Sequence, residues 1–529
     1  MKKIILSIFI LNAALWAQSD QKNIELPDFV ITGKQSVEIS IAKKKKPELI
    51  STVSRDFLLP QYSAEEIPLL VSSSPVSIKP KISVSDFFDG SVKIGIGNYT
   101  YPTGAFHISK SFGYYIVSAN AWGKNIKEYD IQNSGYNTSG VSMENTLFVS
   151  TKSGFLPGSE IKLDGEYSRE SYKFFASAID PTYQRKIQKG FGEFSFSNNY
   201  TRWIDFASTF GVDFLSFDES GLKERVIKSL TNLNVRLNGF SIGGILDYRK
   251  QVLSNNLSGK DGYDYYSLDG FTKLNLKNNM EFKGGVRFSG NGSNNFFAPF
   301  ASIKMPLGNG FVFSSAYNPH TENYTYASML KKCQYIFPLL TDNVFSETKF
   351  DLNGSLNYQY EKYFSVGISA GYSKSDGYLY FEDVILDSRL NILSIDDVNN
   401  IYSKMDFLFH PAQLGYFYGD IKFSKVTDAN DKYVPYEPQI SSELIYGYDF
   451  DFGLGLKVKF VFAKDVYTDI ANTNKLDDYQ NLSFGASYKI WSNLSVTADF
   501  QNILNRSNFV FRGYEEKPFD VIAGIEYRW

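Results

Sequence analysis

Phe519-Asp520-Val521-Ile522-Ala523-Gly524-Ile525-Glu526-Tyr527-Arg528-Trp529 ends the chain, and its alternation decides the fold. Phe519, Val521, Ala523, Ile525, Tyr527 and Trp529 put an apolar side chain at every second position, while Asp520, Gly524, Glu526 and Arg528 are polar or small. A period of two is that of a β-strand, here with one face suited to hydrocarbon and the other to water. The stretch from Asn493 onward therefore reads as the closing hairpin of a membrane barrel, with lipid outside and an aqueous lumen inside.

Working back toward Gly90, the same pattern recurs. Phe364, Val366, Ile368, Ala370 and Tyr372 alternate with Ser365, Gly367, Ser369, Gly371 and Ser373. Leu482, Phe484, Ala486, Tyr488 and Ile490 repeat it, and so do Phe282, Val286 and Phe288 against Lys283, Arg287 and Ser289. Such runs are about as long as the ten or so residues a tilted strand needs to cross a bilayer. Short turns fall near Gly113, Pro157, Thr201, Gly239, Asn278, Gly308, Glu361, Pro411, Asp451 and Ser492. Between them lie mostly longer connectors, among them Lys124 to Thr138, Arg169 to Lys189, Asn318 to Phe345, Lys374 to Asn400 and Arg506 to Pro518; the first, at Tyr101, is short. This spacing predicts an all-β, antiparallel transmembrane β-barrel of about 22 strands over residues 90–529, with long connectors outside and short turns in the periplasm. A soluble sandwich or propeller explains the strands but not the alternating connector lengths.

Composition agrees. Aromatic residues make up 16% of the 529 residues, with Tyr 37 and Phe 45, as expected where aromatic girdles mark two membrane interfaces. A net charge of -3 gives no pull toward nucleic acid. Cys333 is the sole cysteine, so no disulfide can form within the chain. Lys2 and Lys3 precede the apolar run Ile4 to Leu15, and Ala17 is a small residue at a cleavage position: residues 1–17 read as a signal peptide. Residues 18–89 contain Pro27, Pro47, Pro60, Pro68, Pro75 and Pro80 and the basic run Lys43 to Lys46, with little alternation, and read as a periplasmic extension. Within it, Asp28, Phe29, Val30, Ile31, Thr32 and Gly33 form a compact β-prone patch suited to joining another protein's sheet edge.

Asp499-Phe500-Gln501-Asn502-Ile503-Leu504-Asn505-Arg506, then Gly513-Tyr514, Pro518 and the final alternating strand, resembles the C-terminal end of TonB-dependent receptors. Asn343 to Phe350 looks like that family's stretch entering a barrel strand, without its usual Pro and second Glu, and Asp28 to Gly33 is similar to a TonB box. The resemblance implies the cell outer membrane of a diderm bacterium, contact with outer-membrane lipid and a TonB-like energy-coupling protein as partner. It also implies that Ile525, Tyr527 and Trp529 form the terminal signal read by the barrel-assembly machinery. Family members carry a plug far larger than residues 18–89 could form, so no plug domain is recognisable. A lumen that wide must be filled by something. A separate plug or surface protein and the threaded extension rank ahead of the connectors Asn318 to Phe345 and Lys374 to Asn400 folded downward. The leading function is transport of an unidentified ligand across the outer membrane. The alternative is a structural, assembly or secretion scaffold holding a separate partner in or under its lumen.

Catalytic chemistry finds little support. His107, His320 and His410 lack metal-ligand spacing, and Cys333 and His320 fall in an expected mobile outer connector with no orienting third group. Asp86, Asp89, Asp477 and Asp478 read as solvated loop carboxylates rather than calcium ligands, so no catalytic residue, cofactor or metal is expected. Tyr263, Tyr265, Tyr266, Tyr324 and Tyr326 read as outer girdle rather than ligand contacts.

Overall fold

The computed structural model describes residues 89–529 apart from 155, 256–258, 260, 277–278, 338–344, 362 and 411–414. The signal peptide, the extension and the Asp28 to Gly33 patch lie outside the described residues.

One antiparallel sheet runs from Gly90–Gly97 to Asp520–Arg528, and these two strands pair with each other, so the sheet closes on itself. Phe311–Tyr317 and His320–Asn323 both pair with Phe345–Tyr360 and are halves of one strand interrupted at Asn318 and Pro319. Counted so, the sheet's 23 segments make 22 barrel strands, as the connector pattern predicts. Closure leaves no edge on which backbone groups would face lipid without partners.

Alternation sets which side chain faces where. Ile94, Phe106, Val141, Leu163, Phe210, Leu268, Val286, Ile368 and Ile525 are exposed on the outer surface, where the solvent they require is hydrocarbon. The inner wall carries charges instead. Lys228 bridges Glu193 at 3.1 Å and Asp213 at 3.2 Å, Arg287 meets Asp269, and Lys93 lies 3.5 Å from Asp499. A one-residue slip in register would turn these charges into the bilayer, so the alternation fixes the pairing.

The seam joins the two ends of the barrel sequence. Gly90 and Trp529 exchange two backbone hydrogen bonds of 3.1 Å, and Ile94 stands opposite Ile525. A Cβ on Gly90 would lie 2.4 Å from the Trp529 indole, so glycine is what lets the ring lie across the first strand. At the outer end Asp520 accepts from the Thr100 hydroxyl at 2.7 Å, the Tyr99 amide at 3.1 Å and Lys517 at 2.5 Å.

A connector falls near each of the ten expected turns and each of the eleven opposite positions, with shifted borders, but the one near Pro157 is not short: it spans 149–158, as many residues as the opposite connector 174–183. Tyr101 lies inside the strand Thr100–Phe112 and the first outer connector is Asn98 and Tyr99, because a register irregularity between Thr100 and Thr103 blurs the alternation there. The connector expected at Arg169 to Lys189 shrinks to 174–183, since Ser159–Lys173 and Gln184–Asn198 keep pairing past the apolar belt, where side chains no longer need to alternate.

Candidate functional site: a packed cap in the outer mouth

Five of the outer connectors pack against one another. Residues 174–183, 218–222, 324–337, 377–397 and 502–519 share one apolar core, which includes Phe174, Leu222, Tyr326, Met329, Ile336, Leu390 and Phe511. Ile187, Leu215 and Phe217 of the wall join it from strand positions opposite in face to the lipid-exposed Phe194 and Phe214. The core therefore sits inside the outer end of the lumen. Two of the five, 324–337 and 377–397, belong to the connectors ranked last by sequence as lumen fillers, and each fully buried Leu, Ile or Phe contributes roughly 1.5–3 kcal/mol to holding them.

Aromatic contacts knit residues far apart in sequence. Tyr335 stacks on Tyr514 with ring centroids 3.5 Å apart and planes 12° from parallel, and Phe175 meets Tyr514 edge-on at 5.1 Å. Tyr514 follows Gly513, whose φ of 81° is a conformation glycine accepts without strain. Asn502 and Asn505 at φ 50° and 47° start this connector, with the Asn502 side chain accepting from the Arg506 amide at 3.2 Å. These are the asparagines and the Gly-Tyr pair of the C-terminal motif. They aim Tyr514 into the core.

Buried charged side chains fasten the 324–337 connector to the wall by gripping its backbone. The helix Tyr326–Lys332 begins on Thr325, which forms a capping box with Ser328. Its first amides, on Tyr326 and Ala327, donate to the Glu224 carboxylate at 2.8 Å and 3.1 Å, and Gln251 donates to the same carboxylate at 2.6 Å. A carboxylate at a helix N-terminus meets both orphan donors and the positive end of the dipole. Beyond the helix, Arg185 donates to the Ile336 carbonyl at 2.6 Å and to Glu219 at 2.6 Å. Its guanidinium lies 4.6 Å from the Phe174 ring and 5.0 Å from that of Phe217. At the connector's root, Arg287 forms a two-pronged bridge to Asp269 at 2.8 Å and 2.7 Å and donates to the Pro319 carbonyl at 2.8 Å. Arg287 thereby holds the point where the barrel strand is interrupted.

Asp387 ties the 377–397 connector to 174–183. It accepts from the Ser177 hydroxyl at 2.5 Å, the Ile179 amide at 3.1 Å and Arg389 at 2.5 Å. Burial alone would raise its pKa, but the Ser177 hydroxyl, the Ile179 amide and Arg389 together hold the carboxyl below its ordinary range.

Several sequence expectations need correction. Tyr324 and Tyr326 are buried in the cap core, not in a girdle, because their connector turns inward. Tyr265 faces the inner wall, its hydroxyl 3.2 Å from the Thr321 carbonyl, whereas Tyr266 packs beside Phe288 with ring centroids 5.7 Å apart. Cys333 is not on a mobile loop: it is 1% exposed at the helix C-terminus, and burial pushes its thiol pKa up, which disfavours the nucleophilic thiolate. His107 bonds Asn120 at 2.6 Å and His320 lies 3.9 Å from Asp351, on separate parts of the wall. Asp89 pairs with Lys110 at 2.7 Å and Asp478 with Lys464 at 3.6 Å. Ile525 and Tyr527 project from the lipid face of the last strand. Sequence reasoning missed Arg185, Glu224, Arg287 and Asp387. For the first three the one signal was a charge at an inward strand position near an outer end, which lumen-lining residues share, while Asp387, inside the 377–397 connector, carried no such signal.

Between the cap and the wall lies a cavity of about 510 Å³. Val461, Ala463 and Tyr479 border it from the wall, Tyr380, Phe381 and Phe511 from the cap, and Tyr436 from the connector 428–439 packed against the cap. Glu437, Asp477, Glu516 and Lys332 are the charged groups on its lining. The volume lies in the range of roughly 300–1,000 Å³ usual for small-molecule sites.

A closed barrel of 22 strands with an apolar outer belt, a charged inner wall and long connectors packed into one mouth has the architecture of a large transmembrane β-barrel. Among solved structures it is similar to the FrpB iron transporter of Neisseria meningitidis, at 11% identity and a TM-score of 0.65 over 84% of this chain and 82% of that one. It is also similar to the ferric-catecholate import receptor Fiu of E. coli K12, at 9% identity and a TM-score of 0.62 over 84% and 82% of the two chains. The siderophore receptor PiuA of Acinetobacter baumannii matches at 11% and 0.61 over the same shares. At these identities the likeness is one of fold, and it is the fold that the C-terminal motif implied. No family model and no curated protein matches the sequence.

Proposed function

We propose that this chain is an outer-membrane transport barrel of the TonB-dependent receptor type, which admits a ligand from outside through a cap that must shift for passage. The observation that carries the reading is the cap: connectors fastened across the outer end of a barrel wide enough to conduct solutes. The names of the structural neighbours, an iron transporter, an import receptor and a siderophore receptor, support transport over catalysis. Asp28 to Gly33 would offer an extended strand to the energy-coupling protein, and the force applied there would be what moves solute inward.

Cells producing the parent chain or a chain lacking residues 26–33 separate binding from coupling. A panel of radiolabelled ferric siderophores and organic cations is the probe. The expected result is uptake of at least one compound by the parent, with surface binding retained and uptake lost in the deletion. Equal uptake by both would remove energy coupling through this segment, and no uptake of any compound by the parent would count against transport.

A further inference from the structure

The cavity between cap and wall has a chemistry of its own. Its apolar surface comes from groups such as Phe381, Phe511 and Ala463, and Tyr380, Tyr436 and Tyr479 add three phenol rings. Three carboxylates, Glu437, Asp477 and Glu516, face a single cation, Lys332, whose ammonium already lies 5.1 Å over the Tyr324 ring. Two of the carboxylates are held by phenols: Tyr378 donates to Glu437 and Tyr479 to Glu516, each at 2.8 Å. Burial raises the Glu516 pKa against the opposing pull of the Tyr479 and Asn481 hydrogen bonds and of Lys517 and Lys124, neither of which lines the cavity. Aromatic faces and carboxylates around an apolar space both attract one class of head group, an ammonium or its equivalent, and both repel an anion.

We propose that this cavity is a binding site for organic cations, molecules with an apolar or aromatic body and one positively charged amine or onium centre. As the ligand site of the transporter it rests on the transport reading, but binding itself does not.

Tetraphenylphosphonium and tetraphenylborate, near-identical in shape and opposite in charge, test this with the full chain in lipid nanodiscs, partition into empty nanodiscs being subtracted. The expected result is saturable binding of the phosphonium, about one per chain, and none of the borate. Glu437→Gln combined with Glu516→Gln lowers phosphonium affinity about tenfold, the scale of a desolvated cation–aromatic or charge contact. Ala463→Trp fills the space from the wall and abolishes binding, with hydrogen exchange in the helix Tyr326–Lys332 reporting that the cap is intact. Borate binding as tight as phosphonium, or phosphonium binding indifferent to Ala463→Trp, overturns the proposal. Phosphonium binding without uptake by cells leaves the cation site standing and counts against transport alone.

Discussion

Arg185→Met tests whether the cap is fastened by buried charge. Arg185 is 1% exposed, and its partner Glu219 has a side chain only 9% exposed. Methionine keeps an apolar side chain between Phe174 and Phe217 but strands the Glu219 carboxylate and leaves the Ile336 carbonyl without its donor. Removing one member of a buried ion pair costs about 3–5 kcal/mol. If that cost falls on the attachment of the 324–337 connector, the detached population rises about a hundredfold or more, at roughly 1.4 kcal/mol per decade. Hydrogen exchange on the helix Tyr326–Lys332 should accelerate by that factor while the barrel strands stay protected. Planar-bilayer conductance should rise with it. Replacing both partners, Arg185→Met with Glu219→Leu, should recover much of the protection because no charge is then stranded. Parental exchange rates across the helix in Arg185→Met would refute the clamp.

Tyr335→Ala removes the ring stacked on Tyr514 and should cost about 3–5 kcal/mol, read as protease cleavage after Lys331 or Lys332 that the parent resists; parental resistance would show that the stack does not hold the connector. Asp387 has a folded pKa below its ordinary 3.8, so its stabilisation is fully present above about pH 4 and is lost as pH falls through the folded value. Exchange in 377–397 should therefore quicken on acidification below pH 4 in the parent, and Asp387→Asn should be loosened already at pH 7 with less pH dependence over that window; matching profiles would remove Asp387 as the tie. Gly90→Leu puts side-chain atoms where the Trp529 indole lies, and both it and deletion of Trp529 should reduce the folded barrel seen as a heat-modifiable band in gels. Normal folded yield in both would show that the seam tolerates losing this contact.

The barrel was legible because its pattern is local. Phe364 to Ser373 announces a strand with one face in lipid whatever lies across the lumen, and Gly113, Gly239 and Gly308 mark turns by their own conformational freedom. The cap was not legible, because each of its residues has meaning only beside residues far away in the chain. Tyr335 and Tyr514 look like ordinary loop tyrosines until they stack. Arg185 stands in Gln184-Arg185-Lys186, a run that reads as solvated, and only its inward position buries it. The C-terminal motif is intermediate: Asn502, Asn505 and Gly513 could be recognised as a pattern, but that they steer Tyr514 into the cap is visible only in three dimensions.

The seam between Gly90–Gly97 and Asp520–Arg528 has a consequence for how the barrel comes into being. Thr100 and Asp520, which bond across its outer end, are separated by 420 positions in sequence. Until the last strand has arrived, the first keeps an unpaired backbone edge able to join a stray strand of any other chain. Closing so long a span is slow, because the entropy of bringing its ends together is lost before the contacts repay it. The ring therefore closes at one place, where the final nine-residue strand meets the first and the terminal tryptophan lies over Gly90.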